Sequence, residues 1–537
     1  MAQLADVITT PEQRSAYIAD GCWRDETLAD RLRAHATDRA GHTAVVDGAT
    51  GASLSYGELF RAASGVVAYL REQGVAGGDV VALQMPNCVE AAIGYSAAFL
   101  LGTVVIPLLP QYRAKELRHV LSISGAKAIV TPVSHRNFDF VPMVTELRRD
   151  LPALDVHIVS GSADGLVSVS DLVKSGSAGD IPRRPAREVS ELIFTSGTES
   201  VPKAVMHTEE TTNFGVRVAR EFLGLTDQDV VWMPSPIGHS TGLNYGLRLA
   251  LFHGLPIVLQ DRWDAADARQ MIERYNCSYT LAATTFLNDL AAECALTGTS
   301  LPAMRYFSCG GAPVPPRLVD RAGEFGIRVL RLYGSTELLV ASWTPPDASD
   351  DDRRNFDGRT LPGTDLKVVG ADGTPLPPSI GGELQGRSPS ACVGFFDDPE
   401  RTKSTFLPEG WIRTGDIASL DDKGFVRMVG RSKEIVIRGG VNIAPREIEE
   451  LLAGMPDVVS AAVVGLPDER LGERACAFLV MAGDARPTLD DVRAHLETRG
   501  IARYKFPEQV EFIDALPMTA SGKVQKHLLK ARLGGMP

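Results

Sequence analysis

No CxxC pair occurs in the 537-residue chain, and its seven cysteines (Cys22, Cys88, Cys277, Cys294, Cys309, Cys392 and Cys476) are scattered and odd in number. That argues against a disulfide framework and a structural zinc site, and for a reducing compartment, so a cytoplasmic location is expected. An excess of positive charge is also missing: 55 Lys and Arg face 67 Asp and Glu, a net charge of -12. Such a chain has no general attraction for nucleic acid or anionic lipid, and a polyanionic ligand must be held by a few placed cations and backbone amides. The first residues, MAQLADVITTPEQR, lack a basic stretch followed by an apolar run, so no secretory signal is expected. The remaining composition, 44% hydrophobic and 23% charged, is that of a folded globular protein, and the length suits more than one domain.

One apolar run is long enough to need a membrane test. Between Glu90 and Arg113 there is no charged residue for 22 positions. Gly94, Ser96 and several alanines weaken its hydrophobicity, Gly102 interrupts it and Pro107 lies near its end, so it reads instead as a buried helix over Glu90–Leu101 followed by a buried strand through Thr103-Val104-Val105-Ile106.

Strand-like and helix-like segments alternate through much of the chain. Ser55-Tyr56-Gly57-Glu58-Leu59 opens an amphipathic helix reaching Leu70; Val80–Leu83 and Lys127–Val130 read as strands, with a helix near Lys115–Ser122. Alternation of this kind predicts α/β architecture, with sheets covered by helices. The Ser-, Gly-, Asp- and Pro-rich stretch 160–187 is expected at the surface before a new unit. A domain boundary is expected near 430, between the turn Leu420-Asp421-Asp422-Lys423-Gly424 and the helix that Pro445 opens. Val458–Gly465 reads as a buried strand of a small last domain.

The strand Glu191-Leu192-Ile193-Phe194 runs into Thr195-Ser196-Gly197-Thr198-Glu199-Ser200-Val201-Pro202-Lys203. Hydroxyls, a glycine and a lysine in one loop suit a phosphate, because the backbone approaches closely at glycine while lysine supplies charge. The spacing is not GxxxxGK[ST], so this is no Walker loop; alone, such a loop is more often just a turn. Thr208 then suits a helix cap, with Phe214, Val218 and Phe222 as the apolar stripe and Gly224 as the stop.

Further motifs follow in order: Gly310-Gly311-Ala312-Pro313, Tyr333-Gly334-Ser335-Thr336-Glu337, Trp411-Ile412-Arg413-Thr414-Gly415-Asp416, Gly430-Arg431-Ser432-Lys433-Glu434 and Pro517-Met518-Thr519-Ala520-Ser521-Gly522-Lys523. This ordered set resembles the adenylate-forming superfamily of acyl-CoA ligases, peptide-synthetase adenylation domains and luciferases, and covers nearly the whole chain. The resemblance implies a large N-terminal domain of sheets covered by helices, residues 1–432, and a small mobile C-terminal α+β domain, residues 433–537. It implies a ligase that uses ATP and Mg²⁺ to make an acyl-AMP and then passes the acyl group to CoA.

By the same resemblance, Thr195, Ser196, Gly197, Thr198 and Lys203 hold the β- and γ-phosphates. Gly310, Gly311, Ala312, Tyr333 and Gly334 border the adenine, and Thr336 bonds the α-phosphate. Glu337 binds Mg²⁺, Asp416 accepts the ribose hydroxyls and Arg431 donates to the ribose. Lys523 bridges the carboxylate and the α-phosphate. His239, in a Gly-rich turn, is either a gate between the acyl pocket and the thiol channel or an ordinary turn residue. Lys433 marks the hinge, and Gly439 and Gly440 line the thiol channel after rotation.

Two departures stand out. Relatives of this kind commonly carry Thr-Gly where this chain has Glu199-Ser200, and Gly where it has Ala204. A lost glycine limits positive φ, and Glu199 puts a negative charge beside expected phosphates. Glu199→Thr with Ser200→Gly is therefore expected to change the Michaelis constant for ATP; an unchanged constant contradicts this reading. For the acid, residues after Ser235, the stretch Tyr279–Leu287, and Leu338–Ser342 are expected to line the pocket, with Phe286, Leu338, Leu339, Val340 and Trp343 apolar. No Asp in Ser235-Pro236-Ile237 offers to anchor an amino group, which favours a medium-chain, alicyclic or aromatic acid. A stand-alone enzyme loading a carrier-protein thiol and a non-catalytic nucleotide-binding regulator are the alternatives; a homodimer is one open oligomeric state.

Overall fold

The computed structural model describes residues 10–174, 179–195, 203–439, 441–519 and 524–534. Ser196, Gly197, Thr198, Glu199, Ser200, Gly440 and Lys523 lie outside them.

Among the described residues two large sheets dominate. The first has nine strands in the order Arg359–Thr360, Leu339–Trp343, Val329–Ser335, Tyr306–Gly310, Tyr279–Ala282, Val231–Met233, Ile257–Leu259, Thr43–Asp47 and Ser53–Ser55; its central strands are parallel. The second has seven: Lys203–Thr208, Val189–Thr195, Val104–Pro107, Val80–Leu83, Ala128–Pro132, Val156–Ser160 and Val167–Ser168. The largest core gathers one face of each sheet (Val81, Leu83 and Val105; Val231, Met233 and Leu330) with the helices Leu28–Asp38, Tyr56–Glu72, Val89–Leu101 and Glu209–Leu223. Separate cores cover the opposite faces. Parallel strands buried on both sides read as continuous apolar runs, as Val80–Leu83 does.

Local chemistry explains many of the boundaries. The helix Tyr56–Glu72 begins at a reciprocal cap, Ser55 with Glu58. The helix Glu209–Leu223 begins at Thr208 and stops at Gly224, whose φ of 61° suits a residue without Cβ. The uncharged run forms the helix Val89–Leu101 and the strand Val104–Pro107, and no helix among the described residues is long and apolar enough to cross a membrane.

The stretch 160–187 does not precede a new unit. Val167–Ser168 ends the second sheet, and Val189–Thr195 returns to the same sheet beside Val104–Pro107, because its apolar residues complete a face that the earlier strands leave open.

A four-stranded antiparallel sheet ends at Arg431, and a five-stranded sheet begins at Val436 with its own core around Ile448, Val463, Leu479 and Leu496. Arg446, on the helix Pro445–Leu452, reaches across to Asp357 at 2.9 Å. Asp357 is buried and also accepts from Arg331 at 2.7 Å and from the Met428 amide at 2.9 Å. Burial alone would raise this carboxyl; Arg446 and Arg331 outweigh it and bring it from 3.8 down to about 2. A depressed carboxyl contributes stability that is present above its unfolded pKa and is lost as pH falls through the folded one. Asp357→Asn is thus expected to remove the part of the acid-unfolding curve lying between about pH 4 and 2, worth about 2 kcal/mol, as measured by urea midpoints across that range.

Candidate active site

The site lies where the two large sheets and the four-stranded sheet meet. Gly310 ends one parallel strand and pairs with Leu332 of the next, so Gly310 and Tyr333 emerge together at carboxyl ends of the sheet, the usual place for ligands in such architectures. A Cβ on Gly310 would stand 2.5 Å from the Leu332 carbonyl oxygen, so only glycine allows this close approach. Gly311 follows with φ 79°, turning the chain away. Ala312 is half-buried beside it.

Tyr333 is buried, and its hydroxyl donates to Asp416 Oδ2 at 2.7 Å. Burial, together with the Asp416 carboxylate, pushes this phenol well above its ordinary range, so it remains a donor. The Asp416 amide donates to Thr414 Oγ1, while Arg431, paired with Asp416 in strand register, places Nε 3.4 Å from Oδ1. Gly334 follows Tyr333, where a Cβ would press within 2.4 Å of the Leu339 carbonyl oxygen.

From the other sheet comes the hairpin Val189–Thr195 and Lys203–Thr208, in which Thr195 pairs with Lys203. Lys203 forms an ion pair with Glu337 that joins the sheets. Burial raises the Glu337 carboxyl, but Lys203 and the Ser335 hydroxyl outweigh it and hold it below the ordinary range, ionised at neutral pH. The Thr195 hydroxyl is buried with no partner among the described residues. An unpartnered donor beside a lysine is what an anion would satisfy.

His207 was not evident from the motifs. Strand alternation places it on the same face as Lys203, which was the available signal. Burial lowers its pKa, so the ring is neutral; its Nε2 donates to the Thr336 carbonyl at 2.7 Å, fixing the residue beside Glu337. His239 is half-buried, and its Nδ1 accepts from the Thr241 amide at 3.2 Å. It follows the strand Val231–Met233, at the same end of the sheet as Gly310 and Tyr333. Lys433 and Gly439 are exposed beyond Arg431; Gly439 has φ 57°.

Also missed was the segment behind the site. Leu243–Arg248 is a π-helix, a turn with an extra residue that recurs at functional sites. Its Tyr245 hydroxyl accepts from the Val340 amide at 2.9 Å, and its ring meets Trp343 edge-on at 5.8 Å. Leu339 between them has φ 54°, an unfavourable region for leucine. Leu339, Val340 and Trp343 thus share one core with Tyr245. Leu338 instead packs toward the four-stranded sheet, and Phe286 meets Trp263 edge-on at 4.6 Å on the far face of the nine-stranded sheet.

A half-buried lysine–glutamate link, the Thr195 hydroxyl without a partner among the described residues and a Tyr–Asp–Arg chain, set at the ends of parallel strands, define a nucleotide-using enzyme of α/β architecture. Residues 32–396 match the AMP-binding enzyme family and residues 447–523 its C-terminal domain, and the chain belongs to this family. It is similar to the medium-chain fatty-acid–CoA ligase of Escherichia coli K12, with 35% identity over 97% of this chain and 92% of that one. The salicyl-AMP ligase / salicyl-S-ArCP synthetase of Mycobacterium tuberculosis is 32% identical over 99% of this chain and 95% of its own. Among solved structures, ATP-bound MatB from Rhodopseudomonas palustris superposes with a TM-score of 0.86 at 28% identity, covering 95% of this chain and 99% of that one. The protein is an AMP-forming acid–thiol ligase working through an acyl-adenylate.

Proposed function

We propose that the chain is a carboxylic acid:CoA ligase: acid and ATP give acyl-AMP and pyrophosphate, then CoA displaces AMP to give acyl-CoA. The observation that carries this reading is the Lys203–Glu337 pair set beside the Tyr333–Asp416–Arg431 chain, which supplies phosphate, metal and ribose partners in one place.

In this reading Thr195, Ser196, Gly197, Thr198 and Lys203 hold the β- and γ-phosphates, and Gly310, Gly311, Ala312, Tyr333 and Gly334 border the adenine. Asp416 and Arg431 take the ribose, with Tyr333 orienting the carboxylate through Oδ2. Thr336, held from behind by His207, donates to the α-phosphate, and Lys523 draws the two anions together. Placed donors and cations of this kind stabilise charge that grows during the displacement. We assign Lys433 as hinge, Gly439 and Gly440 to the thiol channel, His239 to its gate, and residues 1–432 and 433–537 to two domains.

Mg²⁺ fits the donor set. Among the described residues no cluster of three or more His, Cys, Asp or Glu could hold an ion, but Mg²⁺ is commonly bound by one or two carboxylates with waters and substrate phosphates, and Glu337 is such a carboxylate. When bound, the ion neutralises phosphate charge.

Tyr245, Leu339, Val340 and Trp343 support an apolar acyl wall, and hence a medium-chain, alicyclic or aromatic acid. The test is a mass-spectrometric screen of carboxylic acids with ATP, Mg²⁺ and CoA. Acyl-CoA formed rapidly from one such class supports the assignment. AMP release with transfer only to a carrier-protein thiol would make the chain a carrier-loading enzyme, and no AMP release with any acid would contradict the reading.

A further inference from the structure

Glu337 already carries a cation on its carboxylate. Lys203 pairs with its Oε1, and the Ser335 hydroxyl and the residue's own amide also favour the ionised form. The pair is largely shielded: the Glu337 side chain is 14% exposed and Lys203 27%. The ammonium also lies 5.3 Å from the centre of the Phe395 ring, whose face favours a cation. A half-buried carboxylate needs a counter-cation, and here the chain supplies its own. The same lysine stands opposite Thr195 across the hairpin neck, at the mouth of the phosphate loop. It is therefore within the reach of two anions that compete for it: Glu337 and, in the reading above, the polyphosphate.

We propose that Lys203 acts as a placeholder for the metal: in the nucleotide-free enzyme it occupies Glu337 and blocks divalent-cation binding, and polyphosphate draws it away, so that the metal enters with or after the nucleotide. This rests on the assignment of Glu337 as the metal's carboxylate. One carboxylate already satisfied by an ammonium is a poor metal site; the same carboxylate, released beside phosphate oxygens, is a good one. Linkage makes the effect reciprocal: whatever factor the nucleotide adds to metal affinity, the metal adds to nucleotide affinity. Exchange of one cation for another also keeps Glu337 ionised throughout, so neither step requires a proton to move.

The experiment is Mn²⁺ binding to the full-length protein, followed by water-proton relaxation at about pH 8, where carboxylates are ionised. No acid or CoA is present. Lys203→Met is expected to bind Mn²⁺ about tenfold more tightly than wild type without nucleotide, and the gain in Mn²⁺ affinity on adding a non-hydrolysable ATP analogue is expected to shrink by a similar factor. Lys203→Arg keeps the cation and should bind as wild type does; Lys203→Gln serves if the Met variant does not fold. Adding Glu337→Gln to Lys203→Met should abolish the gain. Unchanged or weaker Mn²⁺ binding in the nucleotide-free Lys203→Met protein, or a gain that survives Glu337→Gln, overturns the proposal. Because the nucleotide-free comparison needs neither acid nor thiol, it can fail while ligase activity stands, and it can succeed if the acceptor proves not to be CoA.

Discussion

Lys523→Ala is expected to lower acyl-AMP formation by about a thousandfold, the scale at which a single placed charge-stabilising donor acts. Thioester formation from supplied acyl-AMP should stay close to wild type. The difference follows from the chemistry of the two halves. In the first, a carboxylate meets the α-phosphate, and two anions must be brought into line; a lysine that touches both lowers that barrier specifically. In the second, a thiol attacks an already activated carbonyl and AMP leaves, so no carboxylate has to be brought against a phosphate and the lysine's bridging role falls away. Among the described residues on either side of Lys523, Met518 pairs with Val524, and the Gln525 amide donates to the Pro517 carbonyl at 2.7 Å. The measurements are acid-dependent release of pyrophosphate and, separately, conversion of synthetic acyl-AMP to thioester. Equal loss in both would remove the case for two working arrangements.

The second large effect is on stability. Arg248 is completely buried and bonds Glu191 at 2.5 Å, Glu209 at 2.6 Å, Asn213 at 2.8 Å and Asn244 at 3.1 Å, with Phe99 stacked on its guanidinium at 4.5 Å. Burial disfavours the charge, but the two carboxylates outweigh it and raise the arginine above its ordinary range. Arg248→Met leaves two buried carboxylates without a cation and is expected to cost about 3–5 kcal/mol, read as a drop in the urea midpoint. Restoring neutrality with Glu191→Gln and Glu209→Gln in the same chain should recover most of it, since the penalty comes from the stranded charges rather than from lost attraction. The network matters to the site because of what it joins: Glu191 is on the strand that leads to Thr195, Glu209 opens the helix after the hairpin, and Arg248 ends the π-helix carrying Tyr245.

That network also marks the limit of what the sequence made legible. Features set by neighbours in the chain were readable: the Ser55–Glu58 cap, the stop at Gly224, the apolar strand Val80–Leu83, and the ordered motifs from Thr195 to Asp416. Features set by distant partners were not. Glu191, Glu209 and Arg248 look like ordinary surface charges until a strand and a π-helix, with Glu191 and Arg248 57 residues apart, bring them together. The return of Val189–Thr195 to the second sheet depends on pairing with Val104–Pro107, which no local pattern announces. Phe286, expected in the acid pocket with Trp343, meets Trp263 instead, because its apolar character does not say which side of the sheet it will cover. The positive φ at Leu339 has no sequence signature at all, because leucine gives no hint of it.

The central claim is that a carboxylic acid is adenylated at the Thr336–Glu337 turn. Exchange of labelled pyrophosphate into ATP measures that step alone, before any thiol is involved. The account predicts exchange that requires a carboxylic acid and Mg²⁺ and falls by at least about a hundredfold in Glu337→Gln. Exchange that proceeds unchanged in Glu337→Gln, or its absence with every acid that the protein binds, would contradict it.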